Sequence, residues 1–141
     1  MSIKNILVIG SNSFSAGSLI NLLLKKKYII YGLSRSKINP KRFLNFDSKN
    51  KNFFFKKLDI NKNQNKIINL IKKIRPCYIV NFASQSMVGQ SWINPIDWFY
   101  TNSFSTIKLY YNISKLSFKT KLIHISTPEI YGNRKKKTFE N

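Results

Sequence analysis

The sequence predicts an α/β fold built on a parallel sheet, and three observations predict it. Short, nearly continuous apolar runs recur along the 141 residues, as expected of strands buried on both faces. Stretches with apolar residues at helical spacing alternate with them. The first run ends in a glycine- and serine-containing turn that opens into a helix. Strands alternating with helices in this way form βαβ units, whose crossovers are right-handed.

Residues 3–9 are the first predicted strand, and 10–13 the turn after it. Residues 14–27 place Leu19, Ile20, Leu23 and Leu24 at helical spacing and end in lysines, which suit the negative end of a helix dipole. A second strand is expected over 28–33, a polar, basic loop over 34–52, and a third strand over 53–58. Residues 61–75 carry Ile67, Ile68, Ile71 and Ile74 in helical register, and Pro76 ends that helix. A fourth strand over 77–82, a long loop over 83–97, a helix within 98–118 and a fifth strand over 121–127 complete the pattern. In the order 3-2-1-4-5 these strands make a Rossmann-type sheet flanked by helices, with ligands at the C-terminal strand ends.

Length and composition bound the function. A chain this long forms one domain with a fair core, and 43% apolar residues with 14% aromatics exclude a disordered chain. No apolar run approaches the roughly 20 residues that span a bilayer, and the N-terminus shows no leader pattern. One cysteine, Cys77, allows no intrachain disulfide, so a cytoplasmic location is expected. The net charge of +20 would suit a polyanion binder. Its lysines, however, are scattered among Asn, Ile, Phe and Tyr, which share A/T-rich codons, so compositional drift accounts for the charge. No recognition helix, zinc spacing or RNA-binding motif accompanies it, and no specific nucleic-acid binding is expected.

Two segments carry the most information. The first turn reads Gly10-Ser11-Asn12-Ser13-Phe14-Ser15-Ala16-Gly17. Near the other end, the strand residues Leu122, Ile123 and Ile125 lead into Ser126-Thr127-Pro128-Glu129-Ile130-Tyr131-Gly132. Between them lie Leu58-Asp59-Ile60 and Asn81-Phe82-Ala83-Ser84-Gln85-Ser86-Met87-Val88. Together these motifs resemble the extended short-chain dehydrogenase/reductases, the NAD(P)-dependent nucleotide-sugar epimerases and dehydratases. Gln85-Ser86 with Ser91 and Pro95 most resembles the GDP-mannose 4,6-dehydratases. The resemblance runs over essentially the whole chain but covers less than half of a family member.

The resemblance implies a role for each segment. In the family's Gly-x-x-Gly-x-x-Gly turn, Gly10 is kept while Ser13 and Ala16 replace the later glycines. Gly10 permits the tight turn, and Ser13, with its neighbours Asn12 and Phe14, lies where a helix N-terminus meets a pyrophosphate. The same serine is also a good helix cap. The second strand ends Ser34-Arg35, without the carboxylate that NAD enzymes place on the ribose 2′-hydroxyl. Arg35 offers a planar fork of donors to a 2′-phosphate, so NADP is the expected cofactor and NAD the second choice. Asp59 and Ile60 match the adenine contact, and Asp59 is equally suited to cap the following helix. Phe82, Ala83 and Ser84 match the wall beside ribose and nicotinamide, and Ser86 matches a substrate contact. No metal site is expected.

Thr127 matches the family's hydroxyl residue at the sugar hydroxyl being oxidised. Glu129 matches the acid/base that takes the C5 proton in 4,6-dehydratases, a role that needs burial to raise its pKa. Epimerases usually carry a small residue there, while some nucleotide-sugar decarboxylases keep the acid. Pro128 departs from the Asp of dTDP-glucose dehydratases. The family's Tyr-x-x-x-Lys pair follows this segment, and the chain stops at Asn141 before one is reached. Tyr131 and Lys135 have the spacing, but Gly132-Asn133 opposes a helix between them. Tyr111 and Lys115 share a helix yet precede the Ser-Thr strand end. Residues 1–133 thus read as an incomplete NAD(P)-binding domain and 134–141 as a basic tail. The expected function is the NADP-binding front portion of a nucleotide-sugar 4,6-dehydratase, oligomeric when full length. An epimerase, a decarboxylase or a non-catalytic NADP-binding module are the alternatives.

Overall fold

The computed structural model describes residues 4–132. The expected basic tail over 134–141 and Lys135 lie outside them. Five strands pair in the order β3-β2-β1-β4-β5, all parallel, the order expected from the sequence. The strands are β1 (Asn5–Ile9), β2 (Ile29–Ser34), β3 (Phe53–Lys57), β4 (Tyr78–Asn81) and β5 (Lys121–His124).

Strand periodicity divides the core in two. In β1, Ile6 and Val8 face α1 (Phe14–Lys25), where Ala16, Ile20 and Leu24 meet Ile30, Phe46, Phe53 and Val80. Leu7 and Ile9 point the other way. They meet Ile67, Leu70, Ile71 and Ile74 of α2 (Gln64–Ile74) and Leu109 and Ile113 of α5 (Thr106–Ser114). Successive side chains leave a strand on opposite faces, so an apolar run without alternation fills both layers at once.

Both early helices are shorter than the sequence pattern suggests. α1 ends at Lys25 because Lys27 adopts a left-handed backbone, φ 61°. α2 begins at Gln64 because Asp59–Asn63 forms a turn of its own, and it ends where Arg75 takes φ 42° ahead of Pro76. The residue before proline is disfavoured in the helical region.

The expected loop over 83–97 is a correction. It contains α3 (Val88–Ile93) and most of α4 (Pro95–Phe99), the latter opening with proline in its first turn. Neither helix buries a residue, so no core-facing apolar stripe announced them. The single helix expected within 98–118 is likewise interrupted. A π-helical segment, Tyr100–Ser105, joins α4 to α5. β5 is exposed along its length, Leu122 and Ile123 included. No described helix is long and apolar enough to cross a membrane.

Candidate functional site

A cleft of about 230 Å³ opens at the C-terminal ends of β1 to β4. The turn after β1 contributes Gly10 and Ser13, and the end of β2 contributes Ser34 and Arg35. Leu58, Asp59, Ile60 and Asn61 follow β3, Phe82, Ala83 and Ser84 follow β4, and Thr101 comes from the π segment. Nine of the sequence-predicted cofactor residues therefore share one wall system: Gly10, Ser13, Ser34, Arg35, Asp59, Ile60, Phe82, Ala83 and Ser84.

The β1 turn is pinned to the end of β2 by three bonds to one carbonyl oxygen. Gly10 and Ser11 donate their backbone N–H groups to the Leu33 carbonyl at 2.8 and 2.9 Å, and the buried Ser11 hydroxyl donates to the same oxygen at 3.2 Å. Gly10 takes φ 80°, a region L side chains rarely adopt. Ser13 caps α1, its hydroxyl oxygen accepting from Ala16 N–H at 3.3 Å. That leaves the serine proton free to donate outward. No acid occupies the first turn of α1, so its unpaired amides and the positive end of its dipole suit an anion.

Asn12 and Phe14 do not line the cleft. Asn12 braces it: its side-chain amide donates to Ser36 Oγ (3.0 Å) and the Lys37 carbonyl (2.7 Å), while its backbone carbonyl accepts from the Asn39 side-chain amide (3.0 Å). These bonds tie the first turn to the loop that carries Arg35. Phe14 starts α1 with its side chain 79% exposed. Asp59 does not cap α2 as the sequence suggested. Its Oδ1 accepts from Asn61 N–H (2.8 Å), its N–H donates to Asn63 Oδ1 (3.0 Å), and Asn63 is the residue preceding the helix.

Two contributors, Asn61 and Gln64, escaped the sequence reading. Asn61 Nδ2 donates to Thr101 Oγ1 at 2.9 Å, joining the β3 side of the cleft to the π segment. A π turn leaves carbonyls without their usual helical partners, and side chains take them up here. Gln64 Nε2 donates to Ser105 O and Ile60 O, both at 2.8 Å, and Thr106 Oγ1 donates to Thr101 O at 3.0 Å. Gln64 is buried and falls on the same α2 stripe as Ile67, Ile71 and Ile74. A polar residue in an apolar register was the available signal. Asn102 brackets the loop after β4, accepting from Gln85 N–H (2.8 Å) and donating to Gln85 O (3.0 Å).

Thr127 and Glu129 stand apart from the cleft lining. They follow β5, Glu129 within a short 3-10 turn, Pro128–Tyr131, and both are exposed. The Thr127 hydroxyl donates to the Glu129 carboxylate and holds its pKa below the usual carboxylate value. The burial that would raise it is not provided by these residues. Ser86 is exposed just ahead of α3 and does not line the cleft either. Of the spaced Tyr/Lys pairs, Lys115 Nζ sits over the Tyr111 ring at 3.9 Å, a cation–π contact. Tyr131 lies in the 3-10 turn that Gly132 ends with φ 68°. His124, at the end of β5, is exposed. Cys77 Sγ donates to the Asn5 carbonyl at 3.2 Å. No group of His, Cys, Asp and Glu suited to a metal occurs among the described residues.

Comparisons with known proteins agree with this geometry. Over 137 residues the chain is 30% identical to the GDP-mannose 4,6-dehydratase of Yersinia enterocolitica, an alignment covering 92% of this chain and 37% of that protein. The chain thus spans little more than a third of the relative's length. The structure is similar to UDP-glucose 4-epimerase from Thermotoga maritima, solved with UDP-glucose, with TM-score 0.76 and 25% identity. That match covers 94% of this chain and 41% of the epimerase. It is also similar to dTDP-glucose 4,6-dehydratase from Bacillus anthracis, solved in complex with NAD, with TM-score 0.77 and 26% identity over 97% of this chain and 42% of the other. The sequence model of the GDP-mannose 4,6-dehydratase family matches residues 7–141. With the Rossmann-type sheet and the cleft at its strand ends, the chain belongs to that family of nucleotide-sugar epimerases and dehydratases.

Proposed function

We propose that this chain is the NADP-binding N-terminal portion of a nucleotide-sugar 4,6-dehydratase acting on a GDP-hexose. The observation that carries the reading is the single cleft joining the α1 N-terminus, Arg35, Asp59 and Ala83-Ser84 at one edge of the sheet.

The fit rests on chemistry present in the chain. Gly10 has no Cβ to push the Phe82-Ala83 backbone off the turn, and Ser13 retains a free proton for a phosphate oxygen. The end of β2 presents Arg35 and no acid, which favours a ribose 2′-phosphate over a 2′-hydroxyl. Asp59 keeps Oδ2 for the adenine amine while Oδ1 serves the turn. Ala83 and Ser84 are small enough to admit a ring against the β4 loop. When bound, a nicotinamide would accept a hydride from the sugar C4 and return it later. Thr127 and Ser86 would orient the sugar hydroxyls. Glu129 would remove the C5 proton once the rest of a longer protein covers it and raises its pKa.

By itself the chain binds without turning over. Glu129 is exposed, with its pKa held down by Thr127. A homo-oligomer of the longer protein is supported by the apolar surface of Trp92, Ile93, Ile96, Phe99 and Ile107. Calorimetric titration of the chain with NADPH and NADH tests the reading. Tighter NADPH binding is expected, and tighter NADH binding, or binding of neither, overturns it.

A further inference from the structure

Asn81, Tyr110 and His124 form a side-chain relay that no step above uses. Asn81 is fully buried at the end of β4, and His124 is its register partner on β5. Side chains paired in register on neighbouring parallel strands leave the sheet on the same face, and α5 lays Tyr110 across that face. Asn81 Nδ2 donates to the Tyr110 hydroxyl at 2.8 Å, and that hydroxyl lies 2.6 Å from His124 Nδ1. The two rings meet edge to face, centroids 5.7 Å apart.

Proton accounting assigns the roles. Asn81 Oδ1 accepts from Ala83 N–H at 2.9 Å, which fixes the amide orientation because a flip would set the amide NH2 against the Ala83 N–H. The Tyr110 oxygen therefore accepts from Asn81, which leaves its one proton available to His124 Nδ1, the arrangement in which that nitrogen accepts. In that arrangement the neutral imidazole carries its own proton on Nε2. Burial pushes the Tyr110 pKa above its ordinary value, only partly offset by Asn81, so the hydroxyl keeps its proton at neutral pH. Three hydrogen bonds in series thus run from Ala83, in the cleft wall, to His124, three residues before Thr127.

We propose that the Tyr110 hydroxyl is a positioning group that holds the Ala83 wall of the cleft in register with the end of β5 carrying Thr127 and Glu129. Backbone pairing cannot do this alone. The bond from Ile125 N–H to Asn81 O (3.0 Å) comes at the point where β4 and β5 end. Beyond it the two segments separate, one toward the cleft and the other toward Thr127. The importance of the register for catalysis rests on the dehydratase reading, but the relay itself does not.

His124 is the chain's only histidine, so its imidazole nitrogens give an unambiguous NMR signal. The wild-type chain is expected to show the neutral Nε2–H tautomer, and an Nδ1–H tautomer overturns the proposal without any variant. Tyr110→Phe keeps the ring and removes the hydroxyl. It should mix the tautomers, speed Ala83 amide exchange and weaken NADPH binding by about tenfold, the scale of one buried hydrogen bond lost. Tyr111→Phe, one residue along α5, should change none of these. An unmixed tautomer or unchanged Ala83 exchange in Tyr110→Phe overturns the proposal, as does unchanged NADPH affinity when the wild type binds. If the wild type binds no dinucleotide, the functional reading falls, and tautomer and exchange still decide the positioning role.

Discussion

Gly10 lies directly beneath Ala83: a methyl group built on Gly10 would sit 2.7 Å from the Ala83 backbone nitrogen and 2.8 Å from the Phe82 carbonyl carbon. The glycine of the first turn is thus required twice, for its φ of 80° and for the close passage of the β4 loop over it. Both clashing atoms are backbone, so no side-chain rotation relieves them.

Gly10→Ala should therefore destabilise the fold by at least about 1–3 kcal/mol, the cost of an unfavourable backbone conformation alone. It should also displace the Ala83 loop and abolish dinucleotide binding. Urea denaturation and calorimetry measure the two effects. A variant as stable as the wild type would show that the loop yields freely.

Arg35→Ala should weaken NADPH binding by about tenfold or more, the scale of a charge-assisted hydrogen bond, and leave NADH binding nearly unchanged. The selectivity should shrink with added salt, because the guanidinium is exposed. Equal losses for both cofactors would mean that Arg35 contacts something other than the 2′-phosphate.

Gln64→Ala should cost about 1–3 kcal/mol by leaving buried carbonyls at Ser105 and Ile60 without their donor. The π segment should lose definition, and with it the Asn61–Thr101 bond in the cleft wall. Amide exchange across Tyr100–Ser105 reports this directly. Unchanged protection there would show that the segment is held by packing instead.

The Thr127–Glu129 hydrogen bond gives a pH test. The folded pKa of Glu129 is depressed. Its stabilising contribution is therefore present above the unfolded pKa and is lost as pH falls through the folded one. Thr127→Ala should raise the Glu129 pKa toward the ordinary carboxylate value, as read by carboxyl-carbon NMR titration. Any stability difference between the two proteins should vanish in acid. A pKa that does not move would place the cause elsewhere.

Trp92, Ile93, Ile96, Phe99 and Ile107 present large exposed apolar side chains along α3, α4 and α5. Such a surface favours self-association despite the charge of +20. Ile107→Lys and Phe99→Lys should lower the sedimentation coefficient toward that of a 16.5 kDa monomer. A wild-type chain that is already monomeric at high concentration would count against this.

Much of the architecture was legible in one dimension. Apolar runs at Asn5–Ile9, Ile29–Ser34 and Tyr78–Asn81 mark strands buried on both faces, and their alternation with helices marks them as parallel βαβ units. Gly10, Ser13, Arg35, Asp59 and Ala83 were readable because strand ends converge on one sheet edge, wherever the helices lie. The short helices α3 and α4 were not readable, since helices that bury nothing leave no periodic stripe. The π segment depends on Gln64, brought to Ser105 from far along the chain, and no local pattern encodes such a meeting. Asn81, Tyr110 and His124 belong to three separate elements, and only strand register and helix docking set their hydroxyl between amide and imidazole. Glu129 shows the same division. Its identity is written in the sequence, while its pKa follows from what surrounds it, and here Thr127 lies beside it without the burial that proton transfer requires.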